Sequence, residues 1–511
     1  MSNAAQEEMR ALEWYARWQR QMNRPLRVLH LGNIANNAFN NARIQRLYGI
    51  EAYVIAAENY HIMSTPEWEE ARFKGDYGDA FFPDWKKVDL AGYVRPDWFA
   101  AGPLDLCCEV IDSQVNGQSQ KTAALVARLA ARREAICATG YGGRATRLAT
   151  RIRRKLRSEL RGLKAGGSSG APANPVGSRL LELWKRANVP HETPVSGRDF
   201  KSYASRLGML QPLFEKFDVV QGYSTDGAWP LLANRPYVAY EHGTLRALPF
   251  APDALGRLTA TVFMGAEHVF ITNLDCIEPA ERLGISADRY TALPHAFNDR
   301  KLAEFRDRNR DLQPPGDHAV LFHPARQDWR DPNPSLIKGN DRLIRAFARI
   351  SLIHPAATLR MIAWGRDLAA SRDLVASLGI EGKVQWIDPL QKQDLWKAYL
   401  SSHAVLDQFV LPSFGGVTFE ALALGCRVVT NVNVGDAERF FSRAPPVYSV
   451  SSEDEIAAAL ERIILDRDDT GGVGEAGADW IRRYHSAERI VELQFGAYRR
   501  LLKSACWKPA V

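Results

Sequence analysis

The chain has 511 residues, of which 46% are hydrophobic and 24% charged. That is ordinary globular composition and too much length for one core, and one domain per ~150 residues suggests two or three. No apolar span nears the ~20 residues of a membrane helix and no charged-then-apolar leader opens the chain, so neither a span nor a secretory signal is expected. The six cysteines are scattered, with only Cys107 and Cys108 adjacent and no CxxC. This argues against a zinc site or disulfide framework and makes a reducing cytoplasm the expected setting. The net charge of +7 raises nucleic acid as a partner, but much of the excess is local to residues 144–164.

Residues 1–24 read as an amphipathic charged helix. PLRVLHLGN then reads as a strand ending in Gly32-Asn33, ANNAFNNARIQRLYG as a helix closed by Gly49, and GIEAYVIAAE as a second strand. Strand, Gly turn, helix and strand open a doubly wound sheet, whose ligands bind at the carboxyl ends of its strands. Gly32 is either a tight turn alone or a point where backbone meets ligand. From about Tyr60 to Pro103 the chain is rich in aromatics and Pro (FFPDWKK, YVRPDWF). This reads as an ordered insertion whose rings form core or line an acceptor pocket.

Residues 113–200 are expected to be a helical, basic insertion with a linker. Its segment RATRLATRIRRKLRSELRGLK puts Leu148, Ile152, Leu156, Leu160 and Leu163 at helical spacing among arginines and a lysine, a basic amphipathic helix over 144–164. Such a helix either adheres to an anionic membrane surface, giving a peripheral protein at the inner face, or packs its Leu stripe on the domain. Nucleic acid is not expected, because no aromatics interleave with the basic residues and no recognised motif accompanies them. AGGSSGAPANPVG (165–177) reads as a flexible linker. The sheet pattern returns with FDVVQGY. YVAYEHG gives a strand ending in Glu241-His242-Gly243, AEHVFITN another, and DRYTALPHAFN closes a first domain of residues 25–300.

A second domain, residues 301–485, begins with the strand, loop and helix of AVLFHPARQDWRDPNPSLIKGNDRLIRAFARI. TLRMIAWGRD and KVQWIDPL read as strands ending at Gly365 and near Asp388-Pro389. The most informative stretch is HAVLDQFVLPSFGGVTFEALALGCRVVTNVNV. AVLDQFVL reads as a buried strand, Pro412-Ser413-Phe414-Gly415-Gly416 as a turn, the next residues as a helix ended by Gly425, and RVVT as a strand. Such a turn gathers free N–H groups at the positive end of a helix dipole, which suits a phosphate. Glu420, in the first turn, would repel a phosphate that it faced, so its expected partners are neutral hydroxyls or backbone donors. Together these suggest a nucleotide sugar. Gly435 to Glu438 read as a loop. Two literal motifs are read as surface loops: the GxGxxG of Gly472, Gly474 and Gly477, which follows a helix rather than a strand, and the DxD of Asp466 and Asp468.

FGGVTFEALALGCRVV resembles the nucleotide-binding signature of the retaining, two-domain glycosyltransferases of GT-B fold, family 4-like (glycosyl transferases group 1). The resemblance implies an α/β chain of two doubly wound, Rossmann-like domains facing a cleft. The first would be the acceptor side, the second the nucleotide-sugar side, and residues 486–511 a helix and tail crossing back. It implies catalytic roles for His242, which would orient the acceptor hydroxyl, and for Arg326 and Lys338, which would stabilise the leaving diphosphate. It implies donor contacts at Gly32, Gly365, Asp388, Phe414, Gly415, Gly416 and Val417, and at Glu420 as the ribose-binding carboxylate. The family's pattern carries two glutamates separated by seven residues; Glu420 matches the second, and the first has Pro412 in its slot. No metal or other cofactor is implied. The implied partners are a nucleotide sugar and a glycan or glycolipid acceptor, as in polysaccharide or lipid-linked glycan assembly. A nucleotide-sugar-binding or scaffold protein without transfer activity is the alternative that Pro412 keeps open.

Overall fold

The computed structural model describes residues 3–79, 82–138, 175–190, 192–333 and 337–503. Its contacts divide the chain into two units. The first comprises Met1–Thr272, Cys276–Leu293 and Val491–Val511, the second Asn273–Asp275 and Pro294–Ile490. In each, short strands pair in parallel, and the central ones are buried on both faces, as parallel sheets covered by helices require.

The first unit holds β1 (Arg27–Leu31), β2 (Glu51–Ala57), β3 (Phe99–Gly102), β4 (Val219–Tyr223), β5 (Val238–Tyr240), β6 (His268–Ile271) and β7 (Tyr290–Ala292). Their order is β3-β2-β1-β4-β5-β6-β7. The N-terminal helix, Asn3–Met22, buries Ala11, Tyr15 and Trp18, a spacing that puts all three on one face. The Tyr15 hydroxyl donates to Gly49 O (2.7 Å) and its ring stacks on Phe495. Phe495 belongs to the last helix, Ala487–Leu501, whose residues from Val491 onward lie in this unit. That helix turns Gln494 and Tyr498 into a buried polar network. Tyr498 Oη donates to Gln221 Oε1 (2.8 Å), and Gln45 Nε2 donates to both Tyr498 and Gln494. Because Gln45 Oε1 can only accept, His30 donates to it from Nε2 (2.9 Å) and accepts from Tyr223 Oη at Nδ1 (3.0 Å). Burial pushes the His30 imidazole down to about 4 and keeps it neutral.

The aromatic insertion forms a satellite core of Ile62, Phe73, Trp85 and Val88. The basic helix expected over 144–164 lies outside the described residues. The linker ends sooner than expected, since Pro175 already opens a helix, Pro175–Arg186, with proline in its first turn. Among the described residues, no helix is long and apolar enough to cross a membrane.

The second unit holds β8 (Val320–His323), β9 (Thr358–Ile362), β10 (Val384–Ile387), β11 (Ala404–Leu406), β12 (Val428–Thr430) and β13 (Tyr448–Ser449), in the order β10-β9-β8-β11-β12-β13. Three expectations are corrected here. The strand expected over AVLDQFVL stops at Leu406, because Asp407 and Gln408 turn their side chains to the following loop and helix. Gly435 to Glu438 lie in a helix, Val434–Phe441, capped by Asn433. The GxGxxG glycines are not a surface loop: Gly474 and Gly477 are buried in the helix Val473–Tyr484. A Cβ on Gly474 would collide with Gly425 O, and one on Gly477 would stand 2.7 Å from Leu422 Cδ2, so these glycines let that helix close on Gly416–Ala423.

Candidate functional site

In the second sheet β8 leads outward to β9 on one side and β11 leads to β12 on the other, so the loops leaving these neighbouring strands diverge and open a crevice at their carboxyl ends. Arg326 and Lys338 lie on the loop after β8. Its two ends are sewn together: Lys338 N donates to Asp328 O (2.7 Å), and Asn340 Oδ1 accepts from Asp328 N (3.2 Å). Asn340 Nδ2 donates to Arg326 O (3.1 Å) and to His323 Nε2 (2.9 Å), which must therefore accept. The other ring nitrogen of His323 donates to Leu406 O (2.8 Å). Buried, this imidazole is pushed down to about 4 and stays neutral, joining β8, β11 and the Asn340–Ile353 helix to the Arg326 loop.

The buried Asp328 carboxylate accepts from Arg326 Nε (2.9 Å) and from the backbone N–H of Arg366 (2.8 Å), with the Arg366 guanidinium 3.5 Å away. It thereby fixes the Arg326 guanidinium at the carboxyl end of β8, while the exposed Arg366 guanidinium at that of β9 is held chiefly by Asp331 (2.9 Å). Gly365, at φ +135°, lets this happen: a Cβ there would collide with the Gln327 backbone, so only glycine lets the two loops lie against each other. Asp388 is exposed just beyond β10.

Lys338 reaches the loop after β11. Its Nζ donates to Gln408 Oε1 (2.6 Å), while Gln408 Nε2 donates to Ser413 O (2.6 Å) and Leu411 O (3.3 Å). One side chain thus ties the lysine to the Pro412–Gly416 turn. Beneath that turn, the buried Asp407 carboxylate accepts from Thr418 Oγ1 (2.7 Å) at the start of the helix Gly416–Ala423. Burial raises the Asp407 carboxyl, and Lys338 and Thr418 act against that rise. Gly416 is exposed, Gly415 and Val417 are half-buried, and among the described residues nothing lies within 4 Å of where a Cβ on Gly416 would stand. The backbone N–H groups at this helix start suit an anion.

Two expected residues are placed differently. The Phe414 ring is buried against Phe419 (5.5 Å) and Phe441 (5.8 Å), so it anchors the turn from within. Glu420 is buried, and its partners are charged and aromatic rather than neutral hydroxyls: Lys392 Nζ at Oε1, and Trp396 Nε1 at Oε2 (3.0 Å). Both come from the helix Lys392–Leu400, which the Gly416 helix packs against. In that low-polarity setting a carboxylate takes a cation and a strong donor before anything weaker.

The first unit holds the other two. Gly32 follows β1 at φ +93°, its N–H donating to Ile55 O (2.9 Å). His242 follows β5, half-buried, its ring centroid 6.4 Å from those of Tyr223 and Tyr240. The buried Glu241 beside it accepts from Thr272 N (3.1 Å) and from Gly243 N, holding the His242 turn. Gly32 and His242 are separated by β4. Asp328, Arg366, Asp407, Gln408, Lys392 and Trp396 were not singled out from sequence. Only Asp328 and Arg366 had a local signal, as charged residues one or two positions from Arg326 and Gly365.

Residues 335–480 match the family model described as Glycosyl transferases group 1. D-inositol 3-phosphate glycosyltransferase of Corynebacterium aurimucosum is 30% identical over 169 residues, covering 31% of this chain and 39% of that protein. GDP-mannose-dependent alpha-(1-6)-phosphatidylinositol monomannoside mannosyltransferase of Mycobacterium tuberculosis is 26% identical over 156 residues, 28% of this chain and 40% of that protein. The chain thus spans about two fifths of the curated relatives it matches. Among solved structures, a glycosyltransferase from Rickettsia africae is similar over 94% of this chain and 100% of its own, with TM-score 0.51 and 14% identity. Most of the second unit, residues 335–480, accordingly belongs to the glycosyl transferases group 1, in a chain of GT-B glycosyltransferase fold.

Proposed function

We propose that the chain is a retaining, metal-independent glycosyltransferase that moves a sugar from a nucleoside-diphosphate sugar to a hydroxyl acceptor, in polysaccharide or lipid-linked glycan assembly. The observation that carries the reading is the convergence of Arg326, Lys338 and the start of the Gly416 helix at one switch point. As the bond from the sugar's anomeric carbon to the phosphate oxygen breaks, negative charge grows on the leaving diphosphate. Two cations already fixed by Asp328 and Gln408 stabilise that charge without reorganising. The acceptor oxygen bonds to the same face of the anomeric carbon and its proton passes to the leaving phosphate, so no protein base is needed. His242 orients the acceptor hydroxyl. Glu420 receives the ribose hydroxyls: each carboxylate oxygen has two lone-pair directions, and Lys392 and Trp396 take one on each.

The setting is cytoplasmic, with residues 144–164 as a contact to an anionic membrane surface. A thermal-shift screen against UDP, GDP, ADP and their sugars, with and without EDTA, tests the donor site. Stabilisation by one nucleotide, indifferent to EDTA and lost in an Arg326→Ala/Lys338→Ala variant, is expected. No shift with any of them overturns the reading. One observation favours a second reading, a binding protein without transfer activity: Pro412 occupies the slot of a family carboxylate. Nucleotide stabilisation without transfer or donor hydrolysis would select it.

A further inference from the structure

The first sheet has its own switch point. In the order β3-β2-β1-β4-β5-β6-β7 the connections reverse between β1 and β4, so the crevice at their carboxyl ends is bounded by Gly32 on one side and by the loop Ser224–Gly227 on the other. That loop is folded back on its own strand by two glycines. A Cβ on Gly222 would stand 2.5 Å from Gly227 Cα, and one on Gly227 would stand 2.8 Å from Val262 Cγ1, so neither position admits a side chain. The fold-back carries Asp226 over the end of β1, where a Cβ on Gly32 would collide with its Oδ2. Gly32 is therefore more than a tight turn: its missing side chain is the space that the carboxylate occupies.

Asp226 is half-buried, which leaves part of it open to a ligand. The Tyr203 hydroxyl is its one hydrogen-bonding side chain among the described residues, and that hydroxyl also bonds Thr225 Oγ1 (2.8 Å). No lysine or arginine acts on it there. Desolvation accordingly raises this carboxyl to about 7, against the lowering by Tyr203. A carboxyl so raised is only partly ionised near neutral pH, a ligand that supplies donors favours its anionic form, and the absence of a cation disfavours a phosphorylated ligand.

We propose that Asp226 is the carboxylate that holds the acceptor, accepting hydrogen bonds from two adjacent hydroxyls of an uncharged polyol. This deepens the transferase reading and rests on it for the word acceptor, while the binding itself can be tested alone. Saturation-transfer difference NMR on the full chain uses glucose, mannose and myo-inositol as probes, with UDP and GDP thermal shifts recorded on the same samples. At least one polyol is expected to take up saturation from the unmodified protein. Asp226→Asn is expected to reduce that uptake at least fivefold, with melting temperature and nucleotide shifts unchanged. Asp226→Glu, which keeps the charge one methylene further out, is expected to restore part of it. Equal uptake in Asp226→Asn, or no uptake by any polyol in the unmodified protein, overturns the inference. If nucleotides give no shift while polyol uptake still depends on Asp226, the transferase reading fails and this site stands.

Discussion

Replacing Asp328 by Asn tests whether a buried carboxylate sets the position of the cations. Asp328 is 3% exposed and accepts from Arg326 Nε at 2.9 Å and from Arg366 N at 2.8 Å. The amide oxygen can keep the Arg366 N–H, but the amide NH2 then faces Arg326 Nε, donor against donor. One charge-assisted hydrogen bond is lost, worth about 1.5–3 kcal/mol. The loss falls at the lower end because Arg326, 35% exposed, can turn to water. About 2 kcal/mol of destabilisation, or roughly 5 °C in the melting of a unit this size, is expected. A guanidinium no longer held toward the diphosphate weakens nucleotide affinity about tenfold, equivalent to about 1.4 kcal/mol. Urea denaturation and calorimetric titration with UDP or GDP measure the two effects. A variant that melts within 1 °C of the parent and binds nucleotide equally well would show that Arg326 is placed by something else.

Glu420→Gln is expected to lower the melting temperature by removing the charge partner of Lys392 in the Glu420 pair, and to weaken nucleotide binding; adding Lys392→Met should recover the melting temperature but not the binding, which calorimetry on both variants checks. Acid should destabilise the chain early. His30 and His323, pushed down to about 4 by burial, are neutral in the folded state, so their contribution is full above about pH 6.5 and is lost as pH falls toward 4, at most about 3 kcal/mol each. Urea midpoints at pH 7.5, 5.5 and 4.5 should fall in that order, and a flat series refutes the neutral-histidine account. Gly474→Ala places a methyl group against Gly425 O and should cost about 2–3 kcal/mol, read as an earlier thermal transition.

The strands were legible because parallel sheets buried on both faces need largely apolar runs, and β1, β4, β8 and β12 are such runs, interrupted only by the buried polar His30 and Gln221 and ended by His323 and Thr430 among their buried residues. The turn at Pro412–Gly416 was legible because glycines between an apolar run and a helix leave few alternatives. What could not be read was whose side chain ends where. Glu420 sits in the expected helix, but its ion partner Lys392 comes from another, 28 positions earlier, and no local pattern announces that pairing. Phe414 looked like part of the turn's ligand face, but three-dimensional packing gave it Phe419 and Phe441. The GxGxxG glycines failed as a dinucleotide motif on context, yet only the close approach of two helices shows that they are packing surface.

The carboxylates explain why the two units suit different ligand chemistry. In the second unit Asp328 is directed at Arg326 and Arg366, Asp407 at the Thr418 hydroxyl, and Glu420 at Lys392 and Trp396. Asp328 and Asp407 are engaged by their own scaffold, so what they help present at the crevice is positioned cations and backbone N–H groups, which suit a diphosphate, while Glu420 keeps a lone-pair direction on each oxygen that suits hydroxyls. In the first unit Asp226 has a tyrosine hydroxyl and no cation among the described residues. A carboxylate bound to cations recruits anions through them, whereas one short of donors recruits hydroxyls directly. On the proposed reading, Asp328 and Asp226, at the crevices of two similar sheets, therefore suit opposite partners, and the difference lies in the arginine built in beside Asp328.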